Sequence, residues 1–247
     1  MIVQAIYPSP RFLPAGDRAL AVELANEISP EINTRIRTLA VALDHLRLPG
    51  VVEVVPTYRS LLVYYDPLVL GVSELQDRIL NLSHSGPVLL PRPRVLHIPT
   101  HYGGEHGPDM DFVARHTGLS AEEVAAIHAE ADYLVYMMGF NTGFPYLGGM
   151  SEKIAAPRLE TPRTAVPAGS VAIAQQQTGI YPVESPGGWR LIGRSPVRLF
   201  DPAREPPVAV EAGDYLRFVQ IDEERYRAIE EQVRSNTYRF LITDKSS

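Results

Sequence analysis

Between Gly139 and Gly213, glycine and proline interrupt this chain so often that no long helix fits between them. The densest example is QQQTGIYPVESPGGWRLIGRS, Gln175 to Ser195, which holds four glycines, two prolines and the only tryptophan. Proline removes a backbone donor and glycine weakens regular structure, so the apolar runs between them must be short. Short apolar runs of even spacing, separated by turn residues, predict a β-barrel or a β-sandwich.

Four apolar runs from Tyr133 onward predict the strands of this β-rich half: YLVYMM, GSVAIA, the segment after Trp189, and YLRFVQI. A further strand is predicted from Val95 to Ile98. Helices are predicted between and after these strands. Asp109 is expected to cap a helix that ends near His116 before Gly118, Ser120 to Glu123 forms a capping box, and Asp222 to Arg234 is predicted to form a closing helix.

The first 82 residues alternate strand and helix patterns instead. Ala19 to Leu24 predicts a strand, and Ser29-Pro30 then predicts a helix start, with serine as the cap and proline in the first turn. One face of this helix carries the apolar residues Ile32, Ile36, Leu39, Leu43 and Leu46. Two strands, Val51–Val55 and Tyr58–Tyr65, and a helix capped by Ser73 complete a small α/β sandwich.

A proline-rich segment, SGPVLLPRPR, separates the two patterns. Three prolines and a glycine in ten residues cannot sustain a helix or a central strand. The sequence therefore predicts an α+β protein with an N-terminal α+β domain over residues 1–84, a linker over 85–94 and a β-barrel domain over 95–247.

Composition excludes several classes of function. The apolar fraction is 45% and the charged fraction 21%, which is typical of a globular protein. A net charge of −6 argues against a nucleic-acid backbone or an anionic membrane as the main partner. The absence of cysteine rules out disulfides, thiolate catalysis and cysteine-ligated zinc. Without a leader pattern or a long apolar run, a cytoplasmic location is expected.

Three long loops are the candidates for chemistry: Gly139–Gly149, Ala156–Ser170 and Gln175–Ser195. Irregular loops on a rigid scaffold commonly carry binding sites. The alternative is that each is a compact loop that packs on its own side chains.

Two arginines in the second loop, Arg158 and Arg163, each follow a proline. A guanidinium group pairs well with a carboxylate or a phosphate, and a stiff backbone would hold two such groups in place. The alternative is a surface ion pair with Glu152, Glu160 or Glu184.

The loops also offer the parts of a pocket for a small polar molecule. The hydroxyl groups are those of Ser170, Thr178 and Ser185, the amide is that of Gln177, and the flat walls are Tyr146, Tyr181 and Trp189. A lone tryptophan is more commonly a plug of the core, and this alternative stays open for Trp189.

Histidines suggest two further roles. His97, His101 and His106 fall near Asp109, but their spacing matches no established zinc pattern, and we predict no metal. His128 ends a predicted helix, where the helix dipole favours a protonated imidazole. His128 is also a candidate general base if it faces the loops.

Several motifs together resemble the 5-oxoprolinase B-subunit family, also called allophanate hydrolase subunit 1 or KipI. They are GF-x-x-GFPYLGG, TPR-x-x-VPAGSVAIA, QTGIYP-x-x-SPGGW with the following IGR, YGGEHGPD, GDRAL and VVEVVPTYRSLLVYYDP. The resemblance spans nearly the whole chain. Two positions depart from the usual pattern, because Thr142 stands where a proline is common and Gln175 where a glycine is common.

The resemblance implies a cyclophilin-like β-barrel in the second domain and a partner, the homologous C subunit of the same enzyme. Together with the A and C subunits, members of the family convert 5-oxo-L-proline to L-glutamate at the expense of ATP, and the chain alone is expected to be inactive. From residue type and position, we expect catalytic roles for Arg158, Arg163 and His128. The expected substrate-binding residues are Phe144, Tyr146, Ser170, Gln177, Thr178, Tyr181, Ser185 and Trp189.

Other functions within the same family remain open at this point. One relative inhibits a sporulation histidine kinase, which makes a regulatory binding protein the main alternative. Membership of a complex that acts on allophanate or urea is another. Peptidyl-prolyl isomerase activity would follow from the barrel alone, and fold analogy does not confer activity.

Overall fold

A computed structural model describes residues 6–84 and 89–245 of the chain. Contacts within the chain divide it after residue 92 into two compact units. The predicted linker, 85–94, includes residues 85–88, which lie outside the described residues. The predicted domain bounds therefore stay a prediction.

The first unit is an antiparallel sheet of order β1-β2-β4-β3 with two helices. Its elements are β1 (Ile6–Pro14), β2 (Ala19–Ala25), α1 (Pro30–His45), β3 (Val51–Pro56), β4 (Ser60–Tyr65) and α2 (Val72–His84). Cross-strand pairing sets Leu20 opposite Val63, and both are buried. Ile32 and Ile36 of α1 are buried in the same apolar core. Four members of the stripe predicted for α1 are thus buried against the sheet, whereas the fifth, Leu46, follows the helix as its C-cap and is 48% exposed.

The sequence did not predict strand β1, which contains Pro8 and Pro10. Its place at the edge of the sheet explains why it forms, because an edge strand can leave its outer hydrogen-bonding positions unused. The predicted helix start is confirmed, since Ser29 Oγ accepts a hydrogen bond of 3.2 Å from the backbone N–H of Ile32. Helix α2 begins at Val72, one residue before the predicted cap, Ser73.

The second unit is a nearly closed mixed β-barrel with three helices among the described residues. Its elements are β5 (Arg94–Tyr102), α3 (Met110–Thr117), α4 (Ala121–Glu130), β6 (Asp132–Met138), β7 (Pro145–Gly148), β8 (Arg163–Val166), β9 (Ser170–Ala174), β10 (Gln177–Ile180), β11 (Ser185–Gly187), β12 (Arg190–Arg194), β13 (Tyr215–Gln220), α5 (Glu223–Arg234) and β14 (Ile242–Asp244). The main sheet has the order β10-β9-β12-β5-β13-β6-β7, and β14 also pairs with β5. Strand β13 runs parallel to β5, and β10 contacts β7, so the two ends of the sheet approach each other.

The five strand predictions in this unit correspond to β5, β6, β9, β12 and β13, and the α+β fold class is confirmed. Every residue of β9 is buried, as expected for a central barrel strand. The capping box of α4 is present in both directions between Ser120 and Glu123. None of the helices in residues 6–84 and 89–245 is long and apolar enough to cross a lipid bilayer.

The prediction that the Asp109 side chain caps helix α3 is wrong. Asp109 precedes α3 but makes no side-chain capping bond. Its carboxylate instead accepts hydrogen bonds from the backbone N–H of Leu191 at 2.7 Å and from Arg163 Nη2 at 2.9 Å. Asp109 therefore ties the glycine-rich loop after β5 to strand β12 and to the start of β8.

Candidate substrate cleft

A cleft of about 480 Å³ opens among the three loops that the sequence marks as candidates for chemistry. This volume is typical of a site for a small molecule. The lining residues are Phe140, Phe144, Tyr146, Arg158, Leu159, Pro162, Gln177, Tyr181, Pro186, Gly187, Gly188 and Trp189. Arg158, Gln177 and Trp189, which are separated in sequence, thus line one cleft.

Aromatic rings form the apolar wall of this cleft around Phe144. The ring of Phe144 meets those of Tyr146 and Tyr181 edge-on, with centroids 5.5 Å apart in each pair. Trp189 lies perpendicular to it with centroids 6.0 Å apart. Such edge-to-face packing holds rings in fixed orientations. Trp189 is therefore a wall of the cleft and not a plug of the barrel core.

Glycine is required at one point of this wall. A Cβ atom at Gly187 would lie 2.3 Å from the hydroxyl oxygen of Tyr181, closer than any real side chain approaches. The bare backbone of Gly187 therefore lets strand β11 lie directly on Tyr181. This close contact is one physical reason for a glycine in the Gln175–Ser195 stretch.

Arg158 supplies a positive charge at the cleft. Its side chain is exposed, and its guanidinium carbon lies 5.9 Å from the ring centroid of Trp189. Within residues 6–84 and 89–245 it forms no ion pair, so the alternative of a pair with a nearby glutamate does not hold for this arginine. Burial raises the pKa of Tyr181, while the charges of Arg158 and Arg163 act in the opposite direction.

Arg163 does not line the cleft. Its guanidinium group donates to Asp109 Oδ1 at 2.9 Å and to the backbone oxygen of Trp189 at 3.4 Å. Arg163 does form an ion pair, as the alternative prediction held, but its partner is Asp109 and not one of the three glutamates named there. Arg163 thus supports the backbone beside Trp189, and its position does not support the catalytic role expected for it.

The predicted polar groups divide into two sets. Gln177 lines the cleft, whereas Ser170 and Thr178 are buried and do not line it. Ser185 is also buried, and its Oγ atom has no hydrogen-bond partner among the described residues. Ser185 itself does not line the cleft, but its neighbours Pro186 to Gly188 do, so a ligand could meet its Oγ atom only if this segment shifted.

His128 lies in the core with both ring nitrogens engaged. Thr178 donates its hydroxyl hydrogen to the backbone oxygen of Ala172, so His128 Nε2 must donate to Thr178 Oγ1, at 2.7 Å. Nδ1 then accepts from the hydroxyl of Tyr102, also at 2.7 Å. Burial lowers the pKa of His128 to about 3. The imidazole is therefore neutral, contrary to the expectation of a protonated helix end, and it does not reach the cleft as a base.

This burial predicts an acid-sensitive fold. The folded-state pKa of His128 is about 3 and the usual value is near 6.5, so only the unfolded chain gains a proton between these values. Stability is retained above pH 6.5 and falls as the pH drops towards 3, by up to ~1.4 kcal/mol per pH unit.

We expect a His128→Gln variant, measured by urea unfolding from pH 7 to pH 4.5, to have a flatter stability profile than the wild type. The comparison cancels the other titrating groups, which the two proteins share. Parallel profiles would show that His128 does not titrate in this way.

A second cleft of about 530 Å³ contains three arginines, Arg198, Arg204 and Arg239. Arg204 donates to the backbone oxygens of Leu199 and Pro207, among others, and Arg239 also donates to backbone oxygens. Arg204 and Arg239 therefore hold their own loops. The cleft beside Trp189 is formed by the three loops that the sequence marks as candidates for chemistry, and it is therefore the better candidate for a substrate.

Comparison with known proteins shows the family of this chain. The profile of the carboxyltransferase domain, subdomains C and D, matches residues 10–210. The 5-oxoprolinase B subunit of Bacillus subtilis (strain 168) is 42% identical over 231 residues, which covers 88% of this chain and 95% of that protein. This chain belongs to the 5-oxoprolinase B-subunit family. The match covers both units, so membership of this family applies to nearly the whole chain.

Two solved structures extend the comparison. A conserved uncharacterized protein from Pyrococcus horikoshii is 47% identical, with a TM-score of 0.52, and the match covers 87% of this chain and all of that one. Urea amidolyase from Kluyveromyces lactis has a TM-score of 0.79 over 98% of this chain but is 19% identical, and the match covers 17% of its length. The second likeness therefore shows the fold alone.

Sequence reasoning missed several lining residues of the cleft, chiefly Phe140, Leu159 and Pro162. Phe140 is 67% exposed and has a positive φ of 59°, which is uncommon for a residue other than glycine. Its position between Gly139 and Asn141 in a glycine-rich loop was the available signal for an exposed aromatic residue.

Proposed function

We propose that this chain is the B subunit of an ATP-dependent 5-oxoprolinase, which converts 5-oxo-L-proline to L-glutamate together with its A and C subunits. The observation that carries the proposal is the cleft of Arg158, Gln177 and Trp189, built from the same loop motifs that resemble the family. Identity of 42% with the 5-oxoprolinase B subunit of Bacillus subtilis, over most of both chains, supports it.

The substrate fits the chemistry of the cleft. 5-Oxoproline has a carboxylate, a flat lactam amide and an apolar ring edge. The guanidinium group of Arg158, which has no acidic partner in the described part of the chain, is suited to the carboxylate. The faces of Tyr146 and Trp189 are suited to the ring.

The amide of the lactam needs both a donor and an acceptor. Gln177 supplies an amide group at the cleft, and Ser185 carries a buried hydroxyl group that lacks a described partner. We assign these two side chains to recognition of the ring amide. A site that hydrogen-bonds its substrate discriminates strongly against analogues that lack the matching group.

The reaction needs ATP because the lactam must be activated before water can open it. An unstrained amide resists hydrolysis, and transfer of a phosphoryl group to the lactam oxygen makes the ring carbon a better electrophile for water. A positive charge such as that of Arg158 would also stabilise the negative charge that develops on the transferred group. In this proposal ATP serves the whole complex, and this chain provides one part of a site to which the C subunit provides the rest.

The alternatives within the family are less well supported. A regulatory binding protein of the kinase-inhibitor type would present an apolar patch beside a filled pocket, whereas this cleft is open. A urea- or allophanate-directed complex rests on more distant relatives, which are 19–30% identical to this chain, against 42% for the 5-oxoprolinase B subunit of Bacillus subtilis.

Reconstitution tests the proposed function. The purified A and C subunits are incubated with ATP and 5-oxo-L-proline, with or without this chain, and glutamate and ADP are measured. We expect glutamate to form only when this chain is present and in proportion to it until the complex is saturated. Equal glutamate formation without the chain, or none in the complete mixture, would contradict the proposal.

A further inference from the structure

A cluster of metal-ligating side chains lies at the other end of the glycine-rich loop from Asp109. It consists of His101 at the end of β5, His106 in the loop and Glu223 in the first turn of α5. One ligand atom from each residue lies within 4.8 Å of those from the other two. We propose that these three side chains bind a zinc ion, at a site that is independent of the substrate cleft.

The distances suit a tetrahedral ion. His106 Nε2 lies 3.1 Å and His101 Nε2 lies 4.0 Å from the same carboxylate oxygen, Glu223 Oε2. Ligand atoms at 2.0–2.2 Å from a tetrahedral zinc lie about 3.4 Å from one another. The two observed separations bracket this value, and the ligand atoms of the two histidines lie within 4.8 Å of each other, so side-chain shifts of up to about an ångström would complete the site.

His101 lacks the hydrogen bonds that a mostly buried imidazole normally makes. Its side chain is 23% exposed, its Nδ1 atom is buried without a partner among the described residues, and its Nε2 atom is too far from Glu223 for a hydrogen bond. Buried polar groups are nearly always paired, so this side chain calls for a partner that the protein atoms do not supply. Ligation of Nε2 would give one of the two ring nitrogens a partner, while Nδ1 would still lack one among the described residues.

The other two ligands are held in place by their neighbours. Arg227 Nε donates to Glu223 Oε1 at 2.8 Å, which leaves Oε2 directed towards the two histidines. The ring of His106 stacks on Tyr226 with centroids 4.2 Å apart, which fixes its plane.

Two imidazoles and one carboxylate are a common ligand set for zinc, with a fourth position open to water. The three residues are intermediate or exposed, so an ion can enter from solvent. The positive charge of Arg227 beside Glu223 opposes a cation and leads us to expect binding in the micromolar range rather than tighter. The sequence brought His101 and His106 together but led to a prediction of no metal, because the third side chain, Glu223, comes from a distant helix.

Zinc binding to the full chain, prepared without a histidine tag and stripped with a chelator, tests the proposal. Calorimetric titration with zinc chloride is expected to show one ion per chain. His106→Phe, which keeps a ring over Tyr226, and Glu223→Gln should each weaken binding ~10-fold or more. Thermal unfolding of each variant without metal checks that it is folded.

His97→Gln is the matched control, since His97 lies on the same strand but bonds Thr243 instead of the cluster. The chain has seven histidines, so adventitious binding must be separated from binding at this site. Unchanged affinity in His97→Gln supports the proposal. Absence of stoichiometric binding to the wild type, or equal losses in His97→Gln and His106→Phe, would overturn it.

Discussion

Replacing Arg158 with alanine is expected to lower the turnover of 5-oxoproline by the assembled complex about 100-fold or more. The guanidinium group lies at the cleft and has no acidic partner among the described residues, so its charge is available to the substrate carboxylate or to the phosphoryl group in transfer. Its exposure means that the substitution should leave the fold and its stability unchanged. Steady-state glutamate formation at saturating ATP measures the effect.

Two further variants make the Arg158 result specific. Arg158→Lys keeps the charge but loses the planar fork, so only part of the activity should return. Arg115→Ala removes an exposed arginine from α3, outside the cleft, and should retain wild-type turnover. Gel filtration of each complex separates a catalytic loss from failed assembly. Wild-type turnover in Arg158→Ala would remove this residue from the site.

Replacing Asp109 with alanine is expected to lower the free energy of unfolding by about 2–4 kcal/mol. The buried carboxylate accepts from Arg163 Nη2 at 2.9 Å and from the backbone N–H of Leu191 at 2.7 Å. Removing it leaves both donors without their partner inside the barrel unit. Because Arg163 also bonds the backbone oxygen of Trp189, the wall of the cleft should loosen as well. Urea unfolding measures the stability change.

Asp111→Ala supplies the comparison for Asp109, since Asp111 is an exposed carboxylate in the first turn of the same helix. Its loss removes only a favourable interaction with the helix dipole and should cost less than about 1 kcal/mol. Equal urea midpoints for Asp109→Ala and the wild type would mean that the buried pair contributes no net stability.

Local chemistry explains which parts of the fold were predictable from the sequence. The cap at Ser29, the capping box of Ser120 and Glu123 and the left-handed Gly118 depend on residues a few positions apart, and all three are present. Strand β1 was not predicted, because its prolines argue against a strand unless its position at the edge of the sheet is known.

Long-range partners explain the errors in the candidate site. Asp109 appears in the sequence as a helix cap, but its partners lie 54 and 82 residues further along the chain. His128 appears as a helix-end histidine, but β10 supplies Thr178 and β5 supplies Tyr102 to enclose it. Only the tertiary structure could distinguish Arg158, which is free of ion pairs in the described part of the chain, from Arg163, which is paired.

Trp189 allows a direct measurement of binding at the cleft, because it is the only tryptophan in the chain. The chain labelled with 5-fluorotryptophan can be assembled with unlabelled A and C subunits of the enzyme and followed by fluorine NMR during titration with 5-oxo-L-proline. We predict a saturable shift of the single resonance, with a midpoint near the KM of the complex, that is lost in Arg158→Ala. A resonance that stays unchanged while the complex turns over substrate would contradict the placement of the substrate in this cleft.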